Sequence, residues 1–395
     1  MKNKKKYPTK IALLGGLLIT LVILGGIGYN MYSSSFMKSA DLTDSEVEAF
    51  ASVTVEGSEQ TAGPRKKRSL TSTTTVATTT PTSAVLATPP PTLKTMAWIY
   101  PGAPACGATT EIADGRKINT LKAEYFTITA GVMQQISSTE YCNGYSATNI
   151  AKLKQYSTEQ YVTVSSASAA SMAMFLGDET IRKAAVASLT DFVVTNNITG
   201  VELDFEDFGG WNADSYALFK VFVTELGTSL HNHSKKLMID GPAISNTSEQ
   251  GWYVWRYSDF VNLPVDNIVV MTYDYQFDHG SGQPIAPLDW MRSTMAYISA
   301  QYPKSKLVMG IPSYGYQGTI GTYRSTILTH DQIKSKTGYN TAQRDTRSGE
   351  MMWTSGTTQY VFQDSESMNK KAAVAIELGI PAITVWHLGG NMWFK

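Results

Sequence analysis

The sequence predicts an α/β fold: a (β/α)8 barrel of the TIM type, with a small insertion after strand seven and a shortened or missing last helix. Three observations predict it. From Lys94 onward, short runs rich in β-branched and aromatic residues alternate with longer stretches of helical period. Eight such runs fit into about 300 residues, the size of one barrel. No G-x-G-x-x-G follows the first run, which weakens the alternative, a doubly wound open sheet.

A leader of different chemistry precedes the barrel. Across 395 residues, 33 Lys plus Arg balance 33 Asp plus Glu. Ten of those cations and six of those acids fall within residues 1–93, so a +4 leader precedes a −4 body. A mildly acidic body without a basic stripe argues against a nucleic-acid binder. With 43% hydrophobic and 11% aromatic residues, disorder throughout is excluded. Two cysteines are too few for a disulfide-framed miniprotein or a structural zinc site.

The first ten residues carry five lysines and no acid, and 11–29 follow without a charge. As a helix that run reaches about 28 Å, near the thickness of a bilayer core. It reads as a signal anchor with its lysines inside, making 1–35 a cytoplasmic tip and membrane segment; secretion after cleavage is the alternative. Residues 36–93 show no hydrophobic period, and ten of the 22 residues from Thr71 to Thr92 are Thr. They read as a disordered Thr/Pro-rich linker, with the basic cluster Arg65, Lys66, Lys67 and Arg68 as solvated charge.

Within the body, 94–395, the strands are expected at 95–100, 125–130, 161–166, 200–206, 236–241, 267–275, 306–314 and 382–386. Helices are expected at 179–196, 214–231, 288–301 and 364–378, and residues 315–360 exceed a normal connection, hence the insertion. The sequence runs only nine residues past Trp386, which leaves no room for a full eighth helix. Cys106 and Cys142 fall in the loops after strands one and two; a disulfide between them is the expectation, two buried thiols the alternative.

Acids alternate with apolar residues in Val201-Glu202-Leu203-Asp204-Phe205-Glu206. On a strand, side chains two apart share a face, so Glu202, Asp204 and Glu206 line the lumen while Leu203 and Phe205 pack under helices. Crowded carboxyls cannot all ionise, and Glu206, at the carboxyl end, becomes a candidate proton donor. Read alone, the pattern also suits a half-exposed strand with a polar face. Later strands add Met271, Tyr273 and Asp274, then Tyr314, then Trp386, and Trp98 and Tyr100 stand on the first strand. Carboxyls beside aromatic rings suit a sugar site. Trp252, Trp255 and Tyr257 are candidates for either substrate contact or packing, and His387 for a structural position.

The run from Thr199 to Glu206 resembles the D-x-x-D-x-D-x-E signature of family 18 glycoside hydrolases, the chitinases and their relatives. Met271-x-Tyr273-Asp274, Gly310-Ile311-Pro312-x-Tyr314-Gly315 and Trp386 are similar to that family's motifs on strands six, seven and eight. The resemblance covers 94–395. It implies a retaining, substrate-assisted mechanism on β-1,4-linked N-acetylglucosamine polymers, chitin or peptidoglycan, with Glu206 as general acid and base. Asp204 would orient the 2-acetamido group, Tyr273 would hydrogen-bond its oxygen, Asp274 would contact the sugar, and Trp386 would floor the subsite. Glu202, Trp98, Met271 and Tyr314 join them as expected substrate-binding residues. No metal or cofactor is implied, and a monomer is expected. Thr199 and Glu202 depart from the signature, and Val162 to Ser168 lacks the S-x-G-G of strand three. A glycan-binding protein without catalysis and a purely structural barrel remain as alternatives; family members that became lectins usually lose the terminal acid, which is present here.

Overall fold

A computed structural model describes residues 93–99, 118–136 and 144–394 of the chain. The expected membrane segment at 11–29, nearly all of the linker, Tyr100, Cys106 and Cys142 lie outside the described residues. No described helix is long and apolar enough to cross a membrane.

The ring of strands begins with β1 (Lys94–Ile99) and β2 (Thr120–Thr129), whose far end folds back antiparallel as β3 (Val132–Gln135). It continues with β4 (Glu159–Ser166), β5 (Gly200–Phe205), β6 (Lys236–Gly241), β7 (Asn267–Val270) and β8 (Leu307–Pro312). An antiparallel sheet of β9 (Gly315–Thr319), β10 (Ser325–Leu328), β11 (Gln343–Arg344), β12 (Met351–Ser355) and β13 (Thr358–Phe362) then leaves the ring. The chain returns as β14 (Ala382–Trp386), which pairs in parallel with β8 and β1. The parallel pairing of β1 with β2 closes an eight-stranded barrel.

Closure follows from two-faced strands. Leu203 and Phe205 face outward under α1 (Ala169–Gly177), α2 (Glu179–Thr195) and α3 (Ala213–Asn232). Phe219, Phe222 and Leu226 of α3 fall on one helical stripe, and the Phe222 ring stacks 6.2 Å from Phe205. Asp178 caps α2 by accepting the Thr180 and Ile181 N–H groups, and Asn212 with Ser215 forms a capping box on α3. The outer layer continues with α4 (Leu288–Ser299) and α5 (Ser365–Leu378), which ends at Gly379 with φ +69°.

Several expectations shift. The second strand starts at Thr120 rather than 125, which brings Lys122 and Glu124 onto the barrel wall. The sixth barrel strand, β7, stops at Val270 rather than 275, because Thr272 N–H and Tyr273 N–H donate back to Val270 O and Met271 O in tight turns. Met271, Tyr273 and Asp274 therefore sit on the loop beyond the ladder. The insertion is a small domain with its own core of Leu328, Ile333, Trp353 and Phe362. Beyond β14 none of the described residues is helical. Leu388 N–H donates to Trp98 O, and Met392, Trp393 and Phe394 pack against the main core.

Candidate active site

The lumen is built in tiers by the alternation of each strand. At its base Met96, Tyr161, Met238, Val269, Val308 and Ala382 form an apolar cluster with Trp98. Above them lies a polar tier. Glu202 is fully buried and takes three hydrogen bonds: 2.8 Å from Trp98 Nε1, 2.7 Å from Thr163 Oγ1 and 2.5 Å from Lys122 Nζ. Burial pulls the Lys122 ammonium below its ordinary range, while Glu202, Asp240 and Asp204 pull it back up. Glu202 and Trp98 thus have next to no surface for a substrate, contrary to the expectation that they bind it; they belong to the floor. Thr199, lower still, accepts the Gln160 N–H on Oγ1.

The next tier holds Glu124, Ser165, Asp204 and Asp240. Ser165 is paired in register with Asp204 and donates its hydroxyl proton to Glu124. Burial, with the Asp204 and Glu202 charges, pushes Glu124 up to about 8 although the Ser165 bond pulls it down. Asp204 is pushed to about 7 by burial and then by Glu202, while Lys122 and a hydrogen bond from Asp240 oppose the rise. Burial, then Glu202 and Asp204, drives Asp240 well above the usual carboxyl range.

Glu206 lies at the mouth, one residue past the β5 ladder. Its N–H donates to Ser166 O at 2.8 Å and its carbonyl accepts from Trp211 Nε1 at 2.9 Å, so the backbone is held on both sides. Asp207 turns the chain with φ +55° and accepts the Ala169 N–H. Enclosure by protein, followed by the charges of Asp204, Asp274, Glu124 and Asp207, raises the Glu206 carboxyl well above its ordinary value. The side chain is also exposed to the cleft, so water tempers the rise without reversing it. A carboxyl whose affinity for its proton is raised while it stays exposed suits proton donation.

Aromatic rings wall the other side. Tyr314, fully buried, donates its hydroxyl proton to Asp274 Oδ1, and its ring meets Trp386 edge-on at 5.1 Å and Tyr273 at 6.4 Å. Tyr314 has no surface for a substrate, and its hydroxyl is engaged by Asp274. Asp274 adopts φ +67°; burial pushes it to about 6 against the Tyr314 and Gln276 hydrogen bonds. Burial, with the surrounding carboxylates, keeps the Tyr273 phenol protonated. Its ring lies over Gly310, where a Cβ would come 2.7 Å from Tyr273 Cε1, so only glycine allows the approach. Trp386 and Met271 are half-buried. Among the remaining candidates, Trp255 and Tyr257 are core while Trp252 is about half exposed, and His387 is buried, held neutral at about 4 by desolvation.

The structure thus brings Asp204, Glu206, Tyr273, Asp274 and Trp386 to one end of the barrel. Reading the sequence missed Lys122, Glu124 and Asp240. Leu121-Lys122-Ala123-Glu124-Tyr125 carries the same alternation as the β5 acids and was the available signal for two of them; Asp240 shows as a lone acid in an apolar run.

A family model described as "Glycosyl hydrolases family 18" matches residues 111–391. The chain is 28% identical over 223 residues to the putative sporulation-specific glycosylase YdhD of Bacillus subtilis, covering 54% of this chain and 52% of that protein. It is 22% identical over 237 residues to the cortical fragment-lytic enzyme of Bacillus subtilis, covering 55% and 52% respectively. The chain therefore spans about half the length of these curated relatives. Among solved structures, the fold is similar to the Bacillus cereus spore cortex-lytic enzyme SleL, with a TM-score of 0.63, 17% identity and 76% of this chain against 72% of that one covered. It is similar also to a chitinase from Chromobacterium violaceum, with a TM-score of 0.64, 22% identity and 76% and 95% covered.

Proposed function

Because the chain belongs to family 18 of the glycosyl hydrolases, we propose that it hydrolyses β-1,4 bonds in an N-acetylglucosamine-containing glycan by a retaining, substrate-assisted route. The observation that carries this reading is the raised carboxyl of Glu206, open to the cleft directly above Asp204 and opposite Tyr273, Asp274 and Trp386. Glu206 protonates the leaving oxygen. The substrate's own acetamido oxygen attacks the anomeric carbon, so no protein nucleophile is used. Asp204 accepts the acetamido N–H and offsets the positive charge of the oxazolinium, Tyr273 donates to the acetamido oxygen, and Asp274 contacts the sugar. Trp386 supports the apolar face of the reacting ring. Glu206, now a carboxylate, removes a proton from the water that opens the oxazolinium.

Two curated relatives are named a sporulation-specific glycosylase and a cortical fragment-lytic enzyme, so peptidoglycan is taken as the first substrate to test, ahead of chitin. Incubating the protein and Glu206→Gln with purified peptidoglycan and with chitooligosaccharides, followed by reducing-end and fragment analysis, tests both points. New N-acetylglucosamine reducing ends from peptidoglycan, lost in the variant, are expected. Binding without cleavage by the unaltered protein would instead support a glycan-binding role. Residues 11–29 and the linker are read as an anchor and spacer that present the barrel outside the cytoplasm; protease shaving of intact cells releases the barrel if so, and leaves it untouched if not.

A further inference from the structure

Among the described residues, the lumen holds one buried cation, Lys122, beside several acids. Lys122 is in register with Trp98, and its Nζ lies 2.9 Å from the centroid of that ring as well as beside Glu202. Three donors converge on the Glu202 carboxyl, from Lys122, Trp98 and Thr163. Lys122 Nζ and Trp98 Nε1 can only donate, one to each oxygen, which suits a carboxylate with Lys122 as its counterion. That pair is complete.

Asp240 on β6 is not. It is 1% exposed, and no N–H or O–H donor of the described residues other than a carboxyl reaches either of its oxygens. It stands within hydrogen-bonding reach of two further carboxyls, Glu202 and Asp204. The other titratable groups facing it are Lys122 and the phenols of Tyr257 and Tyr273. Lys122 is committed to Glu202, and Tyr257 donates to Pro242 O at 2.7 Å. Glu202 already takes three donors, so Asp204 is the neighbour left to Asp240, and two adjacent carboxyls without a spare donor hold a proton between them, since ionising both would leave buried charges uncompensated. Asp204 is partly accessible from the cleft and Asp240 is not, so water favours the anion on Asp204 and the proton on Asp240.

We propose that Lys122 and Asp240 are positioning residues for the hydrolysis: Lys122 keeps Glu202 ionised, and Asp240, on the neighbouring strand, is the neutral acid whose hydrogen bond holds Asp204 as an anion facing the substrate. This role rests on the reading of Asp204 as the group that orients the acetamido function. Burial pushes Asp240 in the same direction.

Two measurements on the full chain test it. Infrared spectra of the substrate-free protein at neutral pH report protonated carboxyls without turnover. Asp240→Asn is expected to lose one such band, Glu202→Gln none, and Lys122→Met to gain one as Glu202 takes up a proton. A band lost in Glu202→Gln, or none lost in Asp240→Asn, overturns the assignment. The second measurement is the pH profile of kcat/KM on a soluble N-acetylglucosamine oligomer. Asp240→Ala is expected to move the acidic limb upward by about one pH unit, and Asp240→Asn, which keeps an N–H donor, to restore it. An unmoved limb in Asp240→Ala, or equal movement in both variants, overturns the positioning role. Thermal melts identify any variant that fails to fold, and the near-isosteric Asp240→Asn still decides the infrared arm. Absence of turnover in the unaltered protein would defeat the hydrolase reading and leave the infrared result standing.

Discussion

The two ends of β5 carry the same chemistry to opposite purposes. At the lower end, Glu202 is enclosed and saturated with donors, with a cation of its own. At the upper end, Asp204 and Glu206 stand among other acids, and among the described residues the cation acting on Asp204 is the buried Lys122. A carboxyl with a complete set of partners is fixed in one state and serves the barrel. A carboxyl denied such partners is pushed above its ordinary range, Asp204 to about 7 and Glu206 in the same direction, and can exchange a proton with a substrate. The difference is one of surroundings, since the residues are two apart on one strand.

The largest expected effect falls at the mouth. Glu206→Gln should lower kcat/KM by about 10²- to 10⁴-fold, the range for loss of a general acid, with the melting temperature unchanged or raised. The lower end should answer the other way. Glu202→Ala leaves Lys122 buried without its partner and should cost about 3–5 kcal/mol of stability in urea unfolding. A Glu202→Ala protein as stable as the parent would erase the contrast between the two ends.

How far this division was legible in the sequence differs from strand to strand. In β5 the acids interrupt an apolar run at period two, so strand, face and order could be read together. In β2 the same alternation is mixed in sign, Lys122 then Glu124, and reads as a polar connection until the neighbouring strands enclose it. Helix α1 is apolar or small along most of its length and shows no helical period, because it is packed on several sides. The polarity of the Glu202 environment is a tertiary fact, assembled from β1, β2 and β4, and no local window holds it. The three tight-turn residues after Val270 were hidden because an apolar run continues past the point where the ladder ends.

A smaller and graded effect should appear with pH. Glu124, Asp204 and Asp274 are pushed to about 8, about 7 and about 6, above the values of the unfolded chain. The folded protein therefore binds more protons than the unfolded one between those limits. The stability these groups contribute is complete below about pH 4 and is lost as pH rises through 6 to 8. Calorimetry from pH 5 to 9 should show a falling melting temperature, and Glu124→Gln should flatten the upper part of the fall. A melting temperature that climbs over this range would contradict the crowding of protonated acids at the mouth. Smallest of all, Thr199→Asp should change turnover far less than Asp204→Asn does, because Thr199 lies below the lumen and bonds to Gln160; comparable losses would mean that the tiers are misordered.

The most direct measurement is the kcat/KM of the parent and Glu206→Gln on two N-acetylglucosamine β-glycosides, one with a sugar leaving group and one with a nitrophenolate that departs without a proton. kcat/KM reports steps up to departure of the leaving group, so it isolates the acid's role from the later activation of water. The variant is expected to lose at least about 10²-fold on the sugar and to recover most of that loss on the nitrophenyl substrate. Equal losses on both would contradict Glu206 as the proton donor.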